Sequence, residues 1–301
     1  MKNYNNMVEF TQAFSTSEQC FDYLFEAKWG NGFKCRSCAH ETAVKGRTRH
    51  YRKCQRCHYD ESCTAHTLFH KLKFDVVKAF WIIYQLSTMK KGMSTMEIAR
   101  QYSIHQETAW FFKRKVQQAM QSGTRTLLKG FVQVDEMAIG GLDKGSPGRS
   151  HGKKRMVEVA IELEEGEDGR RILKVKNAAA VVIADYSSTE LGKGINTMID
   201  KDAAICTDQW SSYPGAVDGR LHFTFPSDEG QNFPQLHWHI FNIKNWIRGI
   251  HHKVSGEHLQ SYLDEFHYRF NRRNQIASCP LRIMKRMINH PWLPYQQAIA
   301  N

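Results

Sequence analysis

Phe131-Val132-Gln133-Val134-Asp135-Glu136-Met137-Ala138-Ile139 is the stretch from which the fold is read. Val132 and Val134 alternate with Phe131, Gln133 and Asp135, the two-residue period of a half-buried strand. An acid in the middle of such a strand is costly to bury without a cation or a metal ion to face it. Outward from it, further strands are predicted at 155–163 and 171–183. A basic loop rich in Gly and Ser (140–154) and an acidic turn (164–169) join them. A helix over 189–199 and a short buried strand over 203–207 come next, and Asp208 stands just past that strand. Residues 215–235 read as irregular, and helices return near 238–248 and 256–273.

Three strands in meander order, then a helix and a further strand, predict an α/β domain of RNase H-like type, a mixed sheet flanked by helices. Its predicted bounds are 126–275, with 276–301 as a C-terminal tail. Asp135 and Asp208 are 73 residues apart and fall on neighbouring strands. Two readings stand on spacing alone. The pair holds two hard cations roughly 3.5–4 Å apart for phosphoryl transfer. Alternatively, Asp135 pairs with an Arg or Lys and Asp208 caps the next helix. Glu136, one residue along, points to the opposite face of the strand.

Upstream the composition changes. Residues 31–130 hold 19 Lys/Arg and 6 Asp/Glu, a local net charge of +13 in a chain whose total is +12. A basic third beside a nearly neutral remainder predicts a polyanion-binding module. Within it lie Cys35-x-x-Cys38 and Cys54-x-x-Cys57, with 15 residues between the pairs. Two such knuckles match a structural Zn²⁺ site, each offering two thiolates at about 2.3 Å from one ion. His40, His58 and His66 are expected at the surface. Cys20, Cys63, Cys206 and Cys279 have no partner spacing and are expected as small packed residues. The helical lead-in and ribbon are bounded at 1–72. Over 73–125 an apolar helix (74–90) ends at Gly92, and Ser94 with Glu97 predicts a capping box. Helices over 95–102 and 105–121, with Lys113, Arg114 and Lys115 on the second, form a helix-turn-helix candidate for DNA.

Of the chain, 41% is hydrophobic and 24% charged, which excludes a disordered or fibrous protein. Its longest apolar runs are far shorter than the roughly 20 residues of a membrane span. MKNYNNMVEF has no apolar core of a secretory signal, so a cytoplasmic protein is expected.

The CxxC…CxxC ribbon, Val134-Asp135-Glu136-Met137-Ala138-Ile139-Gly140-Gly141, Thr207-Asp208-Gln209-Trp210-Ser211-Ser212-Tyr213 and the stretch from Gly249 to Arg273 together resemble one family. It is the insertion-sequence transposases that join an N-terminal zinc ribbon to an RNase H-like, integrase-type domain with a DDE-like triad. The resemblance implies Asp135 and Asp208 as the first two ligands of catalytic Mg²⁺ or Mn²⁺. In this family the third position is Glu, Asn or His and is followed seven residues later by Lys. Lys244 stands seven after His237, which makes His237 the third residue and Lys244 a phosphate contact. His239 and Asn242 are close alternatives, and Glu265 is the fallback carboxylate. The implied partners are double-stranded DNA, as terminal inverted repeats and as target, and further copies of the chain in a dimer or higher multimer. The rival expectation is a DNA-binding regulator that kept the fold and lost the chemistry.

Overall fold

A computed structural model describes residues 4–121, 126–140, 154–165, 173–217, 219–251 and 254–300. Most of the loop expected at 140–154 and of the turn at 164–169 lies outside them. The chain forms two compact units, residues 1–120 with 274–301, and residues 121–273.

The first unit begins with α1 (Met7–Ala13) and α2 (Ser17–Trp29). Thr16 and Gln19 form a reciprocal capping box at the start of α2. Three short antiparallel strands follow, β1 (Ala43–Lys45), β2 (Tyr51–Cys54) and β3 (Asp60–Ser62), in spatial order β1-β2-β3. Helix α3 (Val76–Thr88) buries Val76, Ala79, Phe80, Ile82, Ile83 and Leu86. Helices α4 (Thr95–Tyr102) and α5 (Gln106–Met120) meet at Ser103, whose left-handed φ of 50° makes the sharp turn of a helix-turn-helix pair. Only half of the capping box expected on α4 forms. Ser94 accepts from the Glu97 amide, but the Glu97 carboxylate turns to Arg100 at 2.9 Å.

Further expectations for this unit need correcting. Lys113, Arg114 and Lys115 are buried rather than spread on a solvent face. Lys113 donates to the Met93 carbonyl, Arg114 to the Gln117 side chain and Lys115 to the His70 carbonyl. In place of a loose tail, α10 (Cys279–Asn289) and α11 (Tyr295–Ala300) pack with the N-terminal helices. Leu281, Ile283, Met284, Met287 and Ile288 are the buried side of α10, and the Leu68 amide donates to the Met287 carbonyl. Cys20, Cys63, Cys206 and Cys279 are all buried, as small packed residues should be. His66 is half-buried and bonded to the Tyr59 hydroxyl rather than lying free on the surface.

The second unit is a mixed α/β layer structure of RNase H-like form. Strands β4 (Phe131–Ile139), β5 (Arg155–Glu165) and β6 (Leu173–Ile183) form the antiparallel meander. Helix α6 (Ser188–Met198) then leads to β7 (Ala204–Thr207), which pairs parallel with β4. Helix α7 (Tyr213–Ala216) precedes β8 (His222–Thr224), a strand inside the stretch expected to be irregular. It extends the sheet to the order β6-β5-β4-β7-β8. Helices α8 (Pro234–Ile250) and α9 (Leu259–Phe270) complete the unit. Side chains leave the sheet alternately. Val157, Val159 and Ile161 pack under Leu236, Ile240, Ile243 and Leu263 of α8 and α9. Val132, Val134, Ala160 and Ile205 pack under α6 and α7.

Candidate active site and metal centre

In the ribbon the four knuckle thiols come together. Cys35 and Cys57 Sγ are 3.5 Å apart, Cys38 and Cys54 Sγ are 3.6 Å apart, and all four lie within 4.8 Å of one another. Sulfurs at about 2.3 Å from a common centre have nearly these separations, so the donor set fits a tetrahedral Zn²⁺. The Tyr59 amide, helped by the other thiols and opposed by desolvation, pulls Cys57 down to about 6. Among the described residues this is the one set of three or more His, Cys, Asp or Glu side chains whose ligand atoms all lie within 4.8 Å of one another.

The second site is built by β4, β7 and α8. The parallel register pairs Gln133 with Cys206. Asp135 stands in the middle of β4 and Asp208 just past the end of β7, and both act on the His237 ring. Asp208 accepts from the Trp210 amide at 3.0 Å, an Asx turn rather than the cap of a helix. Pro234 opens α8 at a position where its missing N–H is not needed. His237 and Lys244 then fall two turns apart on one face of α8. His237 Nε2 is 3.4 Å from Asp135 Oδ2, and Asp135 Oδ1 accepts from the Glu136 amide at 2.8 Å. The Arg or Lys partner that Asp135 was offered as an alternative is not found among the described residues.

The electrostatics tie the four residues together. Hydrogen bonding to Asp135 raises the His237 pKa, burial opposes it, and Asp208 adds to the rise while Lys244 works against it. Burial and Arg248 lower the Lys244 pKa, and Asp135 pulls it back up. Glu136 points the other way, as expected, and accepts from the Tyr213 hydroxyl at 2.7 Å. Behind it, across the β4–β5 pair, Glu158 is fully buried, and desolvation with Glu136 alongside raises its pKa well above the usual range.

The alternatives for the third position sit elsewhere. Asn242 is exposed. Glu265, the fallback carboxylate, is buried and pairs with Arg269 at 2.6 Å, and burial pushes the neighbouring Asp264 up to about 6. Arg273 donates to the Lys176 carbonyl, and Arg272 to that of Tyr268. His239 is buried between α8 and α9, 3.1 Å from His267 Nε2.

His267 Nδ1 lies 2.7 Å from the Leu263 carbonyl and must donate, so its Nε2 accepts from His239. Both rings are therefore neutral, and burial holds His267 down to about 4. A histidine with a depressed folded pKa contributes stability above its unfolded value near 6.5 and loses it as pH falls toward 4. That shift is worth roughly 3 kcal/mol. Urea unfolding at pH 7 and pH 4 should show His267→Gln losing less stability on acidification than the wild type, by up to about 3 kcal/mol. An equal loss in both proteins refutes the neutral pair.

Gly230 is a site residue with no signal in the sequence. It has φ +90° and is buried against the His237 ring, where an added methyl would lie 2.6 Å from Cε1. Gly230→Ala therefore pays for both a strained backbone and a displaced imidazole. We expect at least about a 10-fold loss of strand cleavage, because misplacement by about 1 Å is that costly. Unchanged single-turnover rates would show that the His237 position is immaterial.

The first unit thus carries a four-cysteine ribbon, and the second an RNase H-like sheet with Asp135 on β4 and Asp208 just past β7. The comparisons with known families bear on both units. An ISXO2-like transposase domain matches residues 127–271, and a transposase zinc-ribbon domain matches residues 15–60. Together they span well over half of the chain, which belongs to this family of transposases. No curated protein matches it.

Proposed function

We propose that the chain binds the terminal inverted repeats of its own element and catalyses DNA strand cleavage and strand transfer. One observation carries this reading: Asp135, Asp208, His237 and Lys244, distant in sequence, converge at one edge of the second unit. The ribbon and the α4–α5 pair hold DNA, and two or more copies bring two element ends together at the chromosome in the cytoplasm.

Asp135, Asp208 and His237 offer hard oxygens and one imidazole nitrogen, a set that suits Mg²⁺ or Mn²⁺. Such ions supply the Lewis acidity that activates a nucleophile and offsets charge on the leaving oxygen. With His in place of a carboxylate the set carries two formal negative charges, so DNA phosphate completes the balance and Mn²⁺ is the better activator. His237, which now faces Asp135, would hold the ion together with Asp135 and Asp208. Lys244 places its ammonium on a phosphate beside the scissile bond and steadies the equatorial oxygens. In cleavage a water oxygen attacks phosphorus, the bond to the 3′ oxygen breaks, and that oxygen takes up a proton. In transfer the freed 3′ hydroxyl loses its proton, bonds to a target phosphorus and releases a target 3′ hydroxyl.

The test uses the full chain with DNA carrying the inverted repeats that flank its coding sequence. Mg²⁺ or Mn²⁺ should yield cleaved ends and joined products that Asp208→Ala does not give. Cleavage without joining makes the chain a nuclease, and binding without cleavage makes it a regulator.

No helix among the described residues is long and apolar enough to cross a membrane.

A further inference from the structure

The first unit contains a pocket of about 330 Å³ between the segment 70–74, α5 and the start of α11. Its walls combine two chemistries. Phe111, Trp292 and Tyr295 bring aromatic side chains to the lining, and Lys71, Lys73 and Lys115 bring basic ones against one acid, Glu107. Tyr295 meets Phe111 edge-on at 5.2 Å, and Lys71 Nζ stands 5.1 Å from the centre of the Trp292 ring.

Lys115 is the unusual member. Only 2% of it is exposed. Its ammonium has one hydrogen-bond acceptor, the His70 carbonyl at 2.9 Å, and stands over the Phe111 ring at 4.7 Å. Among the described residues no carboxylate pairs with it, and desolvation by burial lowers its pKa to about 8. A buried ammonium without a counter-charge destabilises the fold that contains it. Its retention at the wall of a pocket makes sense if an anion enters and supplies the missing charge.

We propose that this pocket binds a single nucleotide of a DNA strand, its base against Trp292, Phe111 and Tyr295 and its phosphate on Lys115 and Lys71. Rings and cations side by side are the means by which proteins hold unpaired nucleotides. The volume falls at the lower end of the range for small-ligand sites, which suits one base and not a helix. The nucleotide must be unpaired, as at a frayed or nicked end. The inference deepens the DNA-binding reading and rests on it only for the source of the nucleotide.

The zinc-loaded full chain is titrated by calorimetry with adenosine 5′-monophosphate, adenosine and inorganic phosphate. It is also irradiated with a DNA duplex whose frayed end carries 5-iododeoxyuridine. The monophosphate should bind more tightly than adenosine or phosphate, and the photocrosslink should map to Trp292 or Tyr295. Lys115→Met should weaken the monophosphate at least about 10-fold and erase the crosslink. Its melting temperature should equal or exceed that of the wild type, because an unpaired buried charge has been replaced by an apolar chain of similar length. Trp292→Leu, at a partly exposed position, should weaken both ligands without unfolding the unit. Monophosphate binding with no crosslink would assign the site to free nucleotides and overturn the strand as its source. No binding by any of the three small ligands and no crosslink, or binding unchanged in Lys115→Met, would overturn the pocket. Gel-shift affinity for the intact duplex is read in parallel, so failure of the pocket and failure of DNA binding are seen separately.

Discussion

Asp135→Asn is expected to slow metal-dependent strand cleavage and joining by at least about 10³-fold while changing duplex affinity by less than about two-fold. The amide keeps the size of the carboxylate and still accepts from the Glu136 N–H. What it removes is charge. The pair Asp135 and Asp208 falls from two formal negatives to one, and the His237 imidazole loses its anionic partner. Metal ions at a phosphoryl-transfer site contribute several kcal/mol of transition-state stabilisation, and about 4 kcal/mol is a factor of 10³. The fold has little at stake, because Asp135 is partly exposed and its one ion pair among the described residues is with a histidine. Single-turnover rates with Mn²⁺, set beside gel-shift affinity and melting temperature, check the claim. A mutant that keeps more than a tenth of the wild-type rate would place the chemistry elsewhere.

On the proposed reading water and a DNA 3′ hydroxyl use the same site, so the loss should be insensitive to the choice of nucleophile. A variant defective in joining alone would instead point to failed target capture. Lys244→Gln differs from Asp135→Asn in kind. By the same proposal it removes a phosphate contact and not a ligand, so added Mn²⁺ should not restore its rate.

The parts of this arrangement legible in the sequence are those set by short periods. The alternation in 131–139 marks β4, and the knuckle spacing marks the thiol cluster, because each rule acts over a few residues. His237 and Lys244 are marked by the resemblance to the family rather than by any short period, and both fall on α8. The illegible parts depend on what packs from far away. Lys113, Arg114 and Lys115 look like a basic face, yet α5 is enclosed and their aliphatic stems are buried with their ammonium or guanidinium groups on acceptors from other segments or the next turn. Glu265 looks like a solvent-facing acid, but Arg269 one turn on lets it go inside. Strand β8 is three residues long on the rim of the sheet, with Phe223 and Thr224 exposed, and shows no hydrophobic alternation. The helices of 279–300 are plain in pattern, but that they complete the first unit is a matter of tertiary contact.

Cys54→Ser should lower bound zinc from about one equivalent per chain to near none and abolish binding to inverted-repeat DNA. The ribbon's own sheet buries very little, although Lys28, Glu18 and Asp22 of α2 pair with its polar side chains. Its strands are three or four residues long, and Cys54 and Glu61 are the only buried positions among them. So small a sheet cannot bury enough apolar surface to offset its chain entropy. Structural zinc supplies on the order of 10 kcal/mol in comparable small folds, so the metal is the folding energy. A serine hydroxyl is a poor zinc ligand at neutral pH, and three thiols leave the tetrahedron open. Cys20→Ala is the informative control, because Cys20 is equally buried in the same unit but packs within α2 and touches no metal cluster. It should keep its zinc and lose only a modest amount of stability. Folding of the second unit separates the two outcomes further. Residues 121–273 carry their own core on both faces of the sheet, so far-UV dichroism of the Cys54 variant should keep a cooperative transition after the ribbon has gone. Zinc retained at one equivalent in Cys54→Ser would mean that the four thiols are packed cysteines and that DNA recognition in this chain begins from another part of the first unit.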